Sequence, residues 1–149
     1  MEIAYAGRSP MRPAAAEELG AERVELDELL ATSDVISLHV PYTSQTHHLI
    51  GAAQLAAMKP TAFLVNTARG AVVDEAALVE ALRAGQVAGA GLDVYEHEPT
   101  VHPGLLELEN VALYPHMGSA TVETRMAMAR LAAENAAAVL AGRPPLTEV

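Results

Sequence analysis

Three residues of this chain belong to types that handle an anion and a proton, and each follows a run of apolar residues. Arg69 closes "FLVNTAR", Glu98 stands in "LDVYEHEP" and His116 follows "VALYP". A guanidinium is a planar fork that matches a carboxylate with two parallel hydrogen bonds. An imidazole exchanges a proton near neutral pH, and a carboxylate beside it favours its charged form. Taken singly, a histidine is most often structural, and an arginine or glutamate most often a solvated surface group. Taken together at strand ends, they supply an anion fork, a carboxylate and a titratable ring at one rim. That is the set required for general acid catalysis on an anionic substrate.

The rim follows from the order of the elements. Strand candidates are Glu2–Ala6, Arg23–Glu25, Val35–His39, Ala62–Asn66, Ala88–Val94 and Val111–Tyr114. Their interiors are nearly all apolar rather than alternating, the pattern of strands covered on both faces in a parallel sheet. Helical stretches lie between them. Pro13 suits a first turn and Gly20 a C-terminal cap around Ala14–Leu19; Asp27 is placed to cap Glu28–Ala31. A helix over Gly51–Met58 stops at Pro60. Asp74 caps Glu75–Ala84, which puts Leu78 and Leu82 on one face and ends at Gly85. The last helix spans about Thr121 to Ala141, with Met126, Leu131 and Leu140 as expected core and Met128 able to share their face. Arg143-Pro144-Pro145 reads as an exit from the domain. Alternating strands and helices give an α/β fold with right-handed crossovers, and ligands in such folds sit beyond the carboxyl ends of the strands.

Other strand ends offer cofactor groups. Gly7, Arg8 and Ser9 leave the first strand without an acidic residue. An acid at that place binds the ribose 2′-hydroxyl of NAD, whereas an arginine suits the 2′-phosphate of NADP; the alternative is a plain surface arginine. Pro41 fixes the turn after Val35–His39, and Thr43 and Thr46 offer hydroxyls to a phosphate or ribose, or to their own backbone. His47 and His48 are adjacent and have no acidic or histidine partner at ligand spacing, so a metal site is not expected.

Composition narrows the classes. The 149 residues are 51% hydrophobic, about one domain. No apolar run approaches the ~18 residues of a membrane span, and no segment has the form of a secretory leader. A net charge of −10 and 3% aromatic content argue against nucleic acid as a partner. The absence of cysteine rules out disulfides and thiolate zinc sites and favours, weakly, a cytoplasmic location.

Four motifs, "PYTSQTHHLI", "KPTAFLVNTARGAVVDEAALVEAL", "GAGLDVYEHEP" and "NVALYPHMGSAT", make the whole chain resemble the NAD(P)-binding domain of the D-isomer-specific 2-hydroxyacid dehydrogenases, nearest to their glyoxylate/hydroxypyruvate reductase branch. The resemblance implies a Rossmann-like doubly wound parallel sheet. It implies Arg69 as the substrate-binding arginine, Glu98 as the glutamate paired with the catalytic histidine, and His116 as that histidine. It places Gly7, Arg8 and Ser9 at the adenosine end of the cofactor, and Val40, Pro41 and Thr46 around its phosphates and nicotinamide ribose. Thr67, Ala68 and Asp93 would flank the nicotinamide, with Gly118 and Ser119 nearby. The implied cofactor is NADP(H), with NAD(H) possible, and the implied substrate a small 2-keto or 2-hydroxy acid. The family is usually dimeric.

The resemblance also sets an expectation about what is missing. The family carries a Gly-x-Gly-x-x-Gly loop between its first strand and helix, and no such loop occurs in these 149 residues. In the strand order 3-2-1-4-5-6, Glu2–Ala6 would be the second strand and would lose its neighbour. The sheet is therefore expected to be split and truncated, with open edges that favour association, unless another chain's strand or an alternative pairing fills the gap. The chain reads as a partial NAD(P)-binding domain, residues 1–149, without a substrate domain, weak in dinucleotide binding and low in turnover. Alternatives are a dehydrogenase for another small acid such as formate, phosphoglycerate or lactate, a dinucleotide-sensing relative of the corepressor kind, or an inactive truncated product.

Overall fold

The computed structural model describes residues 1–147, which form two compact units, the first Met1–Pro115 and the second beginning at His116. In the first unit β1 (Ile3–Tyr5), α1 (Pro13–Leu19) and β2 (Ala21–Arg23) are followed by α2 (Leu26–Thr32), β3 (Val35–Leu38) and α3 (Ala52–Ala57). Then come β4 (Phe63–Asn66), a 3₁₀ turn at Gly70–Val72, α4 (Glu75–Arg83), β5 (Gly89–Leu92), α5 (Pro103–Leu106) and β6 (Val111–Leu113). All pairing between these strands is parallel.

The strands form two sheets, β1-β2 and β3-β4-β5-β6, and among the described residues no pairing joins them. The split expected from the sequence is therefore present: β1 and β3 each have a neighbour on one side only. In the larger sheet Leu38 pairs with Asn66, Asn66 with Leu92 and Leu92 with Leu113. This row levels the carboxyl ends of four strands. The residues just beyond it, from Val40, Thr67, Asp93 and Tyr114 onward, start along one rim.

One face of the larger sheet is packed. Ile36 and Leu38 of β3, Leu64 of β4 and Leu92 of β5 join Leu30, Leu55, Leu78, Leu82 and Leu105 from α2 to α5 in one core. Each such side chain, fully buried, contributes roughly 1.5–3 kcal/mol through loss of apolar surface from water. The opposite face differs from the reading of the apolar runs. Burial alternates along β3 and β4, and Val35 and Phe63 are 61% and 49% exposed. The apolar residues there have strand propensity but no layer over them in this unit, so the run is continuous in sequence while burial has a period of two.

Most helix ends lie where capping chemistry puts them. Pro13 is the first residue of α1, and Gly20 takes a left-handed φ of 60° at its end. The Asp74 carboxylate accepts the Ala77 N–H at 2.9 Å. Two assignments shift. β2 occupies Ala21–Arg23 rather than Arg23–Glu25, in register with Ile3–Tyr5. Asp27 does not cap α2; it lies in the first turn, and Glu25 stands at the cap without a side-chain bond. There the carboxylate favours the positive end of the helix rather than a single N–H.

The second unit holds α6 (Val122–Leu140), capped by the Thr121 hydroxyl, which accepts the Thr124 N–H at 3.2 Å. Its expected core is corrected: Met126, Met128, Leu131 and Leu140 are all exposed, and Ala138 alone among the helix residues is buried. Methionines and leucines at helical spacing define a face, but a face becomes core only where another surface meets it. The segment after α6 turns back rather than leaving. Asn135 Oδ1 accepts the N–H groups of Leu146 and Thr147 at 2.7 and 3.2 Å, and its amide donates to the Thr147 hydroxyl at 3.0 Å.

Two substitutions measure the difference between the sheet faces. Leu64→Ala, inside the packed face, is expected to cost about 2–5 kcal/mol in denaturant unfolding. Val35→Ala, on the open face, is expected to change stability by about 0.5 kcal/mol or less.

Candidate active site

Arg69 is carried by a loop that Asn66 shapes from inside. Asn66 is 1% exposed at the end of β4. Its amide donates to the Arg69 carbonyl at 3.0 Å, and its oxygen accepts the Ala68 N–H at 3.1 Å. Its backbone carbonyl accepts the Asp93 N–H at 3.0 Å and so ties the loop to the end of β5. The Arg69 side chain is exposed and its guanidinium donates to the Ala68 carbonyl at 2.6 Å. An arginine rooted this way presents charge to solvent from a fixed backbone, as anion capture requires.

Glu98 belongs to the turn after β5. Its Oε1 accepts the Tyr95 N–H at 3.0 Å, so the carboxylate closes its own loop. Tyr95 is buried and its hydroxyl donates to the Tyr114 carbonyl at 2.8 Å, linking this turn to the end of β6. Burial raises the Tyr95 pKa and keeps the phenol a neutral donor. The turn also meets the Arg69 loop through backbone. A Cβ at Gly70 would overlap the Tyr95 carbonyl group and the Glu96 nitrogen, so only glycine allows the two segments to touch.

His116 opens the second unit, with a left-handed φ of 54° and an exposed side chain. Gly118 and Ser119 follow it in the turn before α6, where the Met117 carbonyl accepts the Ala120 N–H at 2.9 Å.

Among the cofactor candidates, Arg8 and Ser9 are exposed beyond β1, and the Gly7 carbonyl accepts from the Arg23 guanidinium at 2.9 Å. A Cβ at Gly7 would meet nothing nearer than the Ser9 carbonyl at 3.8 Å, so this loop has open space before it. Val40 and Pro41 lead into a self-bonded turn. The Thr46 hydroxyl donates to the Pro41 carbonyl at 2.6 Å and accepts the Thr43 N–H at 2.8 Å. Thr43 and Thr46 therefore spend these bonds on their own loop, which fixes the turn rather than leaving loose donors. Thr67 and Ala68 lie in the Arg69 loop, and Asp93 is buried at the end of β5. A cavity of about 520 Å³ lies elsewhere, on the open face of the larger sheet between Phe63, Val65, Gly91 and Val111. None of the residues lining it belongs to the strand-end loops that carry these groups.

The comparisons with known proteins join these observations. Residues 1–118 match the model of the D-isomer specific 2-hydroxyacid dehydrogenase NAD binding domain. The chain belongs to this family. It is 53% identical over 145 residues to a glyoxylate reductase of Thermococcus litoralis, covering 97% of this chain and 44% of that protein. The structure of Rhodotorula graminis D-mandelate dehydrogenase superposes with a TM-score of 0.93 at 44% identity, over 100% of this chain and 44% of that one. An NADPH-dependent glyoxylate/hydroxypyruvate reductase of Sinorhizobium meliloti, solved with NADP and malonate, superposes with a TM-score of 0.91 at 42% identity, over 99% of this chain and 45% of that one. The chain thus spans a little under half the length of the relatives it matches. The Rossmann-like parallel α/β reading holds, and among the described residues no helix is long and apolar enough to cross a membrane.

Sequence reasoning missed the groups that hold the Glu98 turn. His48 has no acidic neighbour at ligand spacing in the sequence, yet in the fold its Nε2 lies 2.7 Å from Glu96 Oε1 and its Nδ1 lies 3.9 Å from Asp74 Oδ2. The partner stands 48 positions away in the chain, beyond any spacing rule. Among the described residues no three metal-ligating side chains are grouped. Glu75, 4% exposed, accepts the Glu96 N–H at 2.7 Å. Burial raises its pKa above the ordinary 4.5; the N–H bond from Glu96 opposes this, and the Glu96 carboxylate adds to it. A raised carboxyl pKa means that the folded state binds the proton more tightly than the unfolded state. The associated stability is complete below pH 4.5 and is lost as pH rises through the folded pKa. Glu75→Gln keeps an oxygen for the Glu96 N–H but does not titrate. The stability of this variant relative to the native chain is expected to rise as pH increases from below 4.5 to neutrality, read from urea midpoints at each pH.

Proposed function

We propose that this chain is the cofactor-binding part of a reductase acting on a small 2-keto acid of the glyoxylate or hydroxypyruvate kind, with NADP(H) preferred over NAD(H). The observation that carries the reading is Arg69, exposed on a loop that Asn66 and Gly70 hold against the Glu98 turn. Such an arginine suits the carboxylate of a small acid. The bond pattern and the names of the relatives agree with that choice.

The residues present fit a nicotinamide dinucleotide at two of its parts. Gly7, Arg8 and Ser9 would hold the adenosine end, where Arg8 and the lack of an acid favour a 2′-phosphate. Val40, Pro41 and Thr46, with Thr67, Ala68 and Asp93, would line the phosphate and nicotinamide side, and Gly118 and Ser119 would add to it. A nicotinamide supplies a hydride to C2 of the keto acid when it is bound. Arg69 binds the substrate carboxylate and polarises the carbonyl. His116 gives its proton to the C2 oxygen as negative charge develops there. Glu98 is the carboxylate that the family resemblance pairs with this imidazole.

The pyrophosphate part has no counterpart in these 149 residues, since a Gly-x-Gly-x-x-Gly loop is absent from them. The chain by itself is therefore expected to bind dinucleotide weakly and to turn over little. The free edges of β1 and β3 favour association with a second copy, and a dimer is the expected assembly. A cytoplasmic location accords with the absence of cysteine.

Isothermal titration with NADPH and NADH tests the cofactor assignment. Binding weaker than micromolar is expected, with NADPH the tighter ligand. Arg8→Ala is expected to reduce NADPH affinity by about tenfold, roughly 1.4 kcal/mol, and to leave NADH unchanged. Micromolar affinity in the native chain would overturn the expectation of weak binding. In an enzyme complete with its substrate domain, His116→Gln is expected to lower turnover by at least about 100-fold. Near-native turnover would remove His116 from the role of proton donor.

A further inference from the structure

His48 and its neighbours have no part in the function as stated, yet they converge on the loop that carries Glu98. The ring of His48 meets the Glu96 carboxylate at 2.7 Å. From the other side, the backbone N–H of Glu96 is taken by buried Glu75 at 2.7 Å. Residue 96 is thus held through its side chain and its main chain by two different segments. It stands between Tyr95, whose N–H binds Glu98, and Glu98 itself.

The His48 end is also anchored. Its N–H donates to the Ala71 carbonyl at 2.9 Å, Ile50 N–H to Val72 at 3.1 Å, and Asp74 N–H to Ile50 at 3.0 Å. These bonds lay residues 48–50 beside the segment that follows Arg69. His48 itself has a left-handed φ of 50°, which a residue with a Cβ adopts only where its surroundings hold it. Its ring stacks on His47 at 3.9 Å between centroids. An exposed ion pair alone would be worth little. Here the Glu96 side chain is 17% exposed and that of His48 34%, and the pair joins the loops that follow β3 and β5.

We infer that His48 is a positioning residue: by holding Glu96, it sets the Glu98 turn against the Arg69 loop. The inference rests on the reading of Arg69 and Glu98 as substrate-handling groups. His48 does not itself touch substrate in this scheme. It acts through a hydrogen bond that a neutral amide at residue 96 can also accept, so geometry rather than charge is the effective element.

Nuclear magnetic resonance of the 149-residue chain tests it, with the Glu98 side-chain carboxylate, the Tyr95 amide and the Arg69 guanidinium N–H as reporters. His48→Ala and Glu96→Ala are each expected to move all three, and Glu96→Gln to restore the native positions. Lys59→Ala, which breaks the exposed pair with Asp34, is expected to leave them in place; amides of β4 and β5 report that each variant is folded. Shifts confined to residues 47–49 and 96, or a Glu96→Gln variant no closer to native than Glu96→Ala, would overturn the inference. Glyoxylate added to the native chain is expected to move the Arg69 signal. If it moves nothing while the three reporters still respond to His48→Ala, the substrate role of Arg69 fails and the loop coupling stands as a structural feature only.

Discussion

The peptide after Tyr95 lies where a side chain on residue 70 would have to be. This contact between two backbones is the constraint on which the arrangement of the strand ends depends. It brings the loop after β4 and the turn after β5 closer than any pair of side chains would allow. Once they touch, the remaining polar groups have short reach. Asn66 satisfies the Arg69 loop, Glu98 closes the turn on Tyr95, and Glu75 takes the Glu96 N–H. Each bond satisfies a backbone group that would otherwise lack a partner near the core.

The sheet supplies the platform for that contact. Four parallel strands end on one row, Leu38, Asn66, Leu92 and Leu113, so the loops leave from one level. The core under them is built from one face only, with leucines of α2 to α5 against β3, β4 and β5. The other face, with Val35 and Phe63, carries apolar residues to solvent. The chain spans a little under half the length of its relatives, and among the described residues β1 and β3 each pair on one side only.

Much of this could be read from residue types. Pro13, Gly20, Asp74 and Gly85 mark helix ends because each acts on its own few neighbours. The strand runs around Leu64 and Leu92 are apolar enough to be placed within a residue or two. The separation of β1-β2 from the larger sheet agrees with the split expected from the sequence. Burial was less legible. Met126, Leu131 and Leu140 have the spacing of a core face and are exposed, because the presence of a covering surface is a property of what lies opposite.

The sequence alone puts Arg69, Glu98 and His116 each after a strand, because local order is enough for that. What holds two of them was decided only by tertiary structure. His48 and Glu96 are 48 positions apart, and Gly70 is glycine because of a peptide 25 positions further along the chain, beside residue 95. Spacing rules act over one helical turn or one strand pair. A bond between loops that leave different strands forms only after the sheet has set those strands side by side.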